Sequence, residues 1–317
     1  MNSKKVNWLF LSIILVEFGI VGFIIVLNGY FRVGFTLSIA ENLILSEMIL
    51  FMPALIFVLA SLIKGRGAQG LNDMLGFHKI KISSFFMVIL FTLLIMPMTT
   101  AINAISMIFV DNAVTAISGD VLRMPFPIML LLMGVYGPFC EEFVFRGVIY
   151  RGYKNSGAVF WSIFWSSLLF GLMHLNFNQA AYAIAIGIMF ALLVEATGSL
   201  WSSAIAHMFF NSEQVCTMYI VNHFMPETYF DNNVNNTLTN DALLAVIGPY
   251  LIIAVVATSL AVCVLVWLAK NEGRENVLRN IWILRKRKGT YLVSVPLLVA
   301  IVLCLAYMSL NVILGMI

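Results

Sequence analysis

The sequence predicts an all-α, polytopic membrane bundle. Three observations carry this: 62% of its 317 residues are hydrophobic, only 10% are charged, and the apolar residues fall into long runs separated by short polar junctions. A soluble globular chain carries about 25% charged residues and about 45–50% apolar ones, so a water-soluble enzyme, a disordered linker and a coiled coil are excluded. No polar block is large enough for a separate soluble domain.

A spanning helix needs about 20 mostly apolar residues to cross roughly 30 Å of hydrocarbon. By that rule nine runs are expected to span, near 8–29, 43–63, 84–110, 126–150, 157–175, 179–197, 199–222, 242–269 and 291–315. The first is too long for a signal-peptide core and is kept as a span. The junctions near 150–157 and 175–179 are short enough to make their helices antiparallel neighbours.

Positive charge sets the sidedness. Lys4 and Lys5 precede the first run, Lys64, Arg66, Lys79 and Lys81 follow the second, and Arg151 and Lys154 follow the fourth. Arg274, Arg279, Arg285, Lys286, Arg287 and Lys288 follow the eighth. Nine crossings put all of these on one side, so the N-terminus is expected in the cytoplasm and the C-terminus outside. The opposite loops hold Asp111, Asp120, Glu227, Asp231 and Asp241, with 223–241 expected to be irregular and 270–289 to include an amphipathic surface helix. The net charge of +3 is too small to suggest a nucleic-acid partner. Cys140, Cys216, Cys263 and Cys304 form no CxxC pair or metal-ligand pattern and read as small apolar residues.

Ionisable residues inside a spanning helix cost about 2.5–3.5 kcal/mol each, so each needs a reason. The densest group is Gly137-Pro138-Phe139-Cys140-Glu141-Glu142-Phe143-Val144-Phe145-Arg146 in the fourth run. Glu142 and Arg146, spaced i,i+4, lie one above the other and are expected to pair as a structural clamp. Glu141 sits about 100° around the helix with only Phe145 as its i+4 neighbour, which leaves it unpaired and makes it the first candidate for a general base. His174 ends the fifth run, and His207 and Asn211 lie one turn apart on a single face of the seventh. Two imidazoles, an amide and an unpaired carboxylate supply a base, a water-orienting group and two donors for an oxyanion.

Glu17 and Glu47 belong to the first two runs, Glu195 ends the sixth and is expected to snorkel to the interface, and Glu213 points away from Asn211. Asn176, Asn178 and Gln179 read as turn and cap residues. A thiol-protease role for Cys140 is disfavoured because no base is local to it.

Glu-Glu-x-x-x-Arg at 141–146, Phe-x-x-x-His at 170–174 and His-x-x-x-Asn at 207–211, with Gly198-Ser199-Leu200-Trp201 leading into the last, resemble the CPBP family. That family comprises the Rce1-type CAAX prenyl endopeptidases and the bacterial Abi proteins. The resemblance covers roughly residues 75–225 and divides the chain into N-terminal helices (1–74), a protease-like core (75–225) and C-terminal helices (226–317). It implies an intramembrane endopeptidase acting on a membrane-associated or lipidated peptide or protein. In it Glu141 and His174 activate water, His207 and Asn211 stabilise the oxyanion, and Glu142 and Arg146 hold the site in shape. It also implies either zinc, whose ligands would be Glu141, His174 and His207, or a glutamate-activated water acting without a metal.

Two other classes use the same residues: a proton-coupled transporter, and a non-catalytic scaffold or immunity protein. With no organelle-targeting segment visible, a bacterial cell membrane is the expected location. One difficulty is internal to the reading. Counted from the expected helix ends, Glu141 and His207 lie roughly 15 Å deep and His174 roughly 27 Å, too far apart to share a water unless the helix ends differ.

Overall fold

A computed structural model describes residues 2–64, 70–110, 118–157, 159–224, 240–286 and 292–315, and the statements that follow concern these residues. The fold is helical throughout. Helices α1 (Ser3–Gly29) and α2 (Ile39–Lys64) are followed by the short α3 (Leu71–Leu75), by α4 (Ile82–Ser106) and by a long, irregular α5 (Phe126–Lys154). Then come α6 (Val159–Met173), α7 (Phe177–Thr197), α8 (Leu200–Phe224), α9 (Asn240–Asn271), α10 (Glu275–Ile283) and α11 (Val295–Leu314).

Seven of these helices are long and apolar enough to cross a membrane: α1, α2, α4, α5, α7, α9 and α11. The other two expected spans are helical but differ in kind. Helix α6 has only 15 residues, about 22 Å of rise, and α8 has 25 residues but falls outside the seven because of its polar side chains. The chain is therefore an integral, multi-pass membrane protein. In the most apolar stretch of each span, 67% of α7 and 56% of α5 is buried against protein, compared with 22–33% of the other five. These two form the centre, and the rest present faces to lipid.

On one flank α1 packs against both α2 and α11 and α2 packs on α5; on the other α9 lies along α4, which also contacts α7 and α8. The N- and C-terminal helices thus meet on one side of the core. At their junction Asn7, fully buried, donates to the Leu292 carbonyl at 2.8 Å and to Ser294 Oγ at 2.7 Å, and accepts from Tyr153 Oη at 2.6 Å. Helix α3 ends at Gly76, whose φ of 81° suits glycine. The Arg151 guanidinium occupies the place a Cβ would take there. The Gly76 carbonyl accepts from Leu200 N–H at 2.8 Å, and Ser199 Oγ donates to the His78 carbonyl, so the segment after α3 is fastened to the start of α8.

The amphipathic surface helix expected in 270–289 is α10, with Ile281 turned inward and Trp282 outward beneath the Arg285 guanidinium. Of the 223–241 loop, residues 225–239 lie outside the described residues. Glu195 departs from expectation. It is buried rather than snorkelling to water, accepts from Tyr150 Oη at 2.7 Å, and pairs with Lys154 Nζ, which the continuation of α5 past 150 carries to it.

Candidate active site

Pro138 organises α5. It has no N–H to donate and its ring crowds the carbonyl four residues back. The helix widens to π-type turns over Leu130–Tyr136, resumes α geometry for Gly137–Glu142, and widens again over Phe143–Tyr150. Such turns are rare and concentrate at functional sites. The Gly137 N–H reaches back to the Leu132 carbonyl instead of that of Met133. The Met133 carbonyl then accepts from Asn211 Nδ2 at 3.2 Å, and the Gly134 carbonyl accepts from Ser212 Oγ at 3.3 Å. A Cβ on Gly134 would lie 2.7 Å from Ser212 Oγ, so glycine is needed for α8 to come this close.

The expected Glu142–Arg146 pair forms, with Arg146 Nη1 donating to Glu142 Oε1 at 2.7 Å and both side chains buried. The guanidinium lies 4.2 Å from the Phe170 ring centroid and 5.6 Å from that of Phe190, so aromatic faces as well as the carboxylate hold the charge. The same Glu142 oxygen accepts from His207 Nδ1 at 3.0 Å. A carboxylate only accepts, so Nδ1 carries a proton and Nε2 is turned the other way, 3.7 Å from Glu141 Oε2. That gap exceeds hydrogen-bond reach and suits a shared water or an imidazolium N–H drawn between carboxylate and substrate. Glu141 keeps 19% side-chain exposure while Glu142 has none, so the partner-rich carboxylate is sealed and the unpaired one is accessible.

His174 donates Nδ1–H to the Phe170 carbonyl at 2.9 Å, leaving Nε2 as its free nitrogen. The helix ends narrow the difference in depth. Helix α5 continues to Lys154, which puts Glu141 roughly 20 Å in, and α6 begins at Val159, which puts His174 roughly 22 Å in. Register agrees: Arg146 stacks on Phe170, so in these antiparallel helices Glu142 is level with His174 one turn on. The Phe170 ring touches both histidine rings, at 5.2 Å to His174 and 5.8 Å to His207.

Asn176 caps α7 through Gln179 N–H, as expected. Asn178 does more than cap: fully buried, it donates to Asn103 Oδ1 at 2.9 Å and Ser106 Oγ at 2.7 Å and ties α4 to the turn after His174. Glu213 accepts from Thr217 and Gln214, away from the site. Cys140 is buried and all four cysteines are free.

The zinc reading needs Glu141, His174 and His207 to converge. Among the described residues no three His, Cys, Asp or Glu side chains gather as metal ligands, although the Nδ1 bonds of the two histidines, to Glu142 and to the Phe170 carbonyl, leave each Nε2 open as in a metal-bound imidazole. As placed, the three side chains do not converge on one ion. The sequence named Glu47 without placing it. Its carboxylate lies against Gly137, one turn before Glu141, at 3.2 Å from where a Cβ would stand.

Residues 123–212 match the family model described as Type II CAAX prenyl endopeptidase Rce1-like. A Bacillus subtilis (strain 168) protein named "Putative membrane peptidase YdiL" is 29% identical over 86 residues, which are 27% of this chain and 35% of the relative. The chain thus matches about a third of that relative's length. No solved structure gives a significant match. The matched stretch contains Glu141, Glu142, Arg146, His174, His207 and Asn211, so the helices that build the site form a segment similar to the type II CAAX prenyl endopeptidases of the Rce1-like family.

Proposed function

We propose that the protein is an intramembrane endopeptidase that hydrolyses a peptide bond of a membrane-associated or lipidated peptide or protein. The observation that carries this is the accessible Glu141 carboxylate facing His207 Nε2, itself aligned by the buried Glu142–Arg146 pair, within the stretch that matches Rce1-like endopeptidases.

In this reading Glu141 and the free Nε2 of His174 orient a water, and Glu141 takes its proton as the oxygen adds to the scissile carbonyl carbon. The carbonyl electrons move onto oxygen, which is met by the second Nδ2–H of Asn211 and by Nε2–H of a doubly protonated His207. Glu141 then returns the proton to the amide nitrogen, and the C–N bond breaks to an amine and a carboxylic acid. Glu142 offsets the imidazolium charge. The matched Bacillus protein is named a membrane peptidase, which agrees with this chemistry, and the clustering of Lys and Arg favours a cytoplasmic N-terminus.

The test compares peptide termini in membranes carrying wild-type protein with those carrying Glu141→Gln, at equal expression. Termini that vanish in the variant identify the substrate. An identical set transfers the site to a proton-coupled transporter or a scaffold.

A further inference from the structure

Two carboxylates in the first two helices have no role in that chemistry. Glu17 Oε2 on α1 and Glu47 Oε2 on α2 are both shut away from solvent, and neither has a hydrogen-bond partner. Glu47 reaches Gly137 across the α2–α5 contact, and Gly137 and Glu141 share one face of α5, a turn apart. The charged groups that act on Glu47 are two more carboxylates, Glu141 and Glu17. The site's own basic side chains are committed elsewhere: Arg146 to Glu142, and His207 to Glu142 and Glu141. Glu17 and Glu47 thus run from α1 through α2 toward the scissile position with no cation of the described residues acting on them. Among the described residues they do not gather closely enough with a third donor to hold a metal ion. An elongated cation that threads between them satisfies both free oxygens.

We propose that Glu47, with Glu17 behind it, is a specificity subsite for a substrate residue bearing an amine or guanidinium, next to the bond cut at Glu141. It rests on the endopeptidase reading above. It lies outside the 123–212 match, in helices for which the resemblance assigns nothing.

The test uses full-length protein in membranes and reads the sequences around every terminus that depends on Glu141. In the wild type, Lys or Arg is expected at one fixed position beside the cut, about tenfold or more above the other residues there, as a desolvated charge pair allows. In Glu47→Gln, cleavage continues and that preference disappears; in Glu47→Lys the same position turns to Asp or Glu. If Glu47→Gln does not accumulate in membranes, Glu17→Gln reads the same preference, which weakens. Glu141-dependent termini with no basic preference overturn the subsite and leave the protease standing. Cleavage that depends on added sodium or magnesium, with no basic preference, overturns it in favour of an inorganic cation. No Glu141-dependent termini at all overturns the protease reading first.

Discussion

Replacing Arg146 by methionine removes the cation at the bottom of the site while keeping an unbranched side chain between Phe170 and Phe190. Arg146 is 1% exposed and Glu142 is 0% exposed, so the variant leaves a sealed carboxylate that keeps neutral donors and His207 but no arginine. Breaking a buried pair from one side costs about 3–5 kcal/mol, and the lost stacking on Phe170 adds roughly 1–2 kcal/mol. The double variant Arg146→Met, Glu142→Gln removes both charges and is expected within about 1–2 kcal/mol of wild type, because a buried pair exchanged for neutral groups is often close to neutral. Unfolding in mixed detergent micelles, followed by circular dichroism, measures all three proteins. The double variant should be stable yet inactive, since His207 then lacks the carboxylate that offsets its imidazolium charge. A single variant that loses less than about 1 kcal/mol would refute the reasoning, for it would mean that water already reaches Glu142.

Three more outcomes follow from the contacts. Asn211→Leu strands the Met133 carbonyl and deletes a donor; it should cost about 1–3 kcal/mol in the same unfolding assay and about 10²–10³-fold in cleavage rate. Pro138→Ala restores an N–H and should let α5 relax toward regular α geometry. Stability would be kept while cleavage falls, and a rate equal to wild type would sever the π turns from function. Asn7→Leu leaves Tyr153 Oη and the Leu292 carbonyl without their partner and should destabilise by about 1–3 kcal/mol, with cleavage by the surviving folded protein unchanged.

The bundle was legible because membrane burial writes itself as long apolar runs, and the Glu142–Arg146 clamp because i,i+4 spacing is a local geometric fact. His207 and Asn211 on one face were legible for the same reason. The hydrogen bond from His207 to Glu142 joins residues 65 apart in the chain, and no spacing rule reaches that far. The tether of Asn211 to Met133 depends on which carbonyl Pro138 leaves free. Proline was visible in the sequence, but the shift of the Gly137 bond to Leu132 was not. Glu195 is sealed rather than snorkelling because α5 runs four residues past 150 and carries Lys154 to it. The ends of α5 and α6 together produced the apparent depth mismatch of His174. Boundary errors of one turn thus accounted for both failures, while the element order stood.

Helix α8 carries Ser202, Ser203, His207, Asn211, Ser212, Glu213 and Gln214 and is too polar to count among the seven apolar spans. Entry into lipid depends on the apolarity of the segment itself. A solitary α8 would therefore partition poorly, whereas α5, which supplies Glu142 and the Met133 and Gly134 carbonyls, precedes it in the chain. The site-bearing helix is in this sense a passenger: it enters the membrane against partners already there, so assembly of the polar centre and insertion of the chain are a single event. Substitutions at Gly134 or Glu142 should then appear first as failed biogenesis of α8, before any loss of cleavage can be measured.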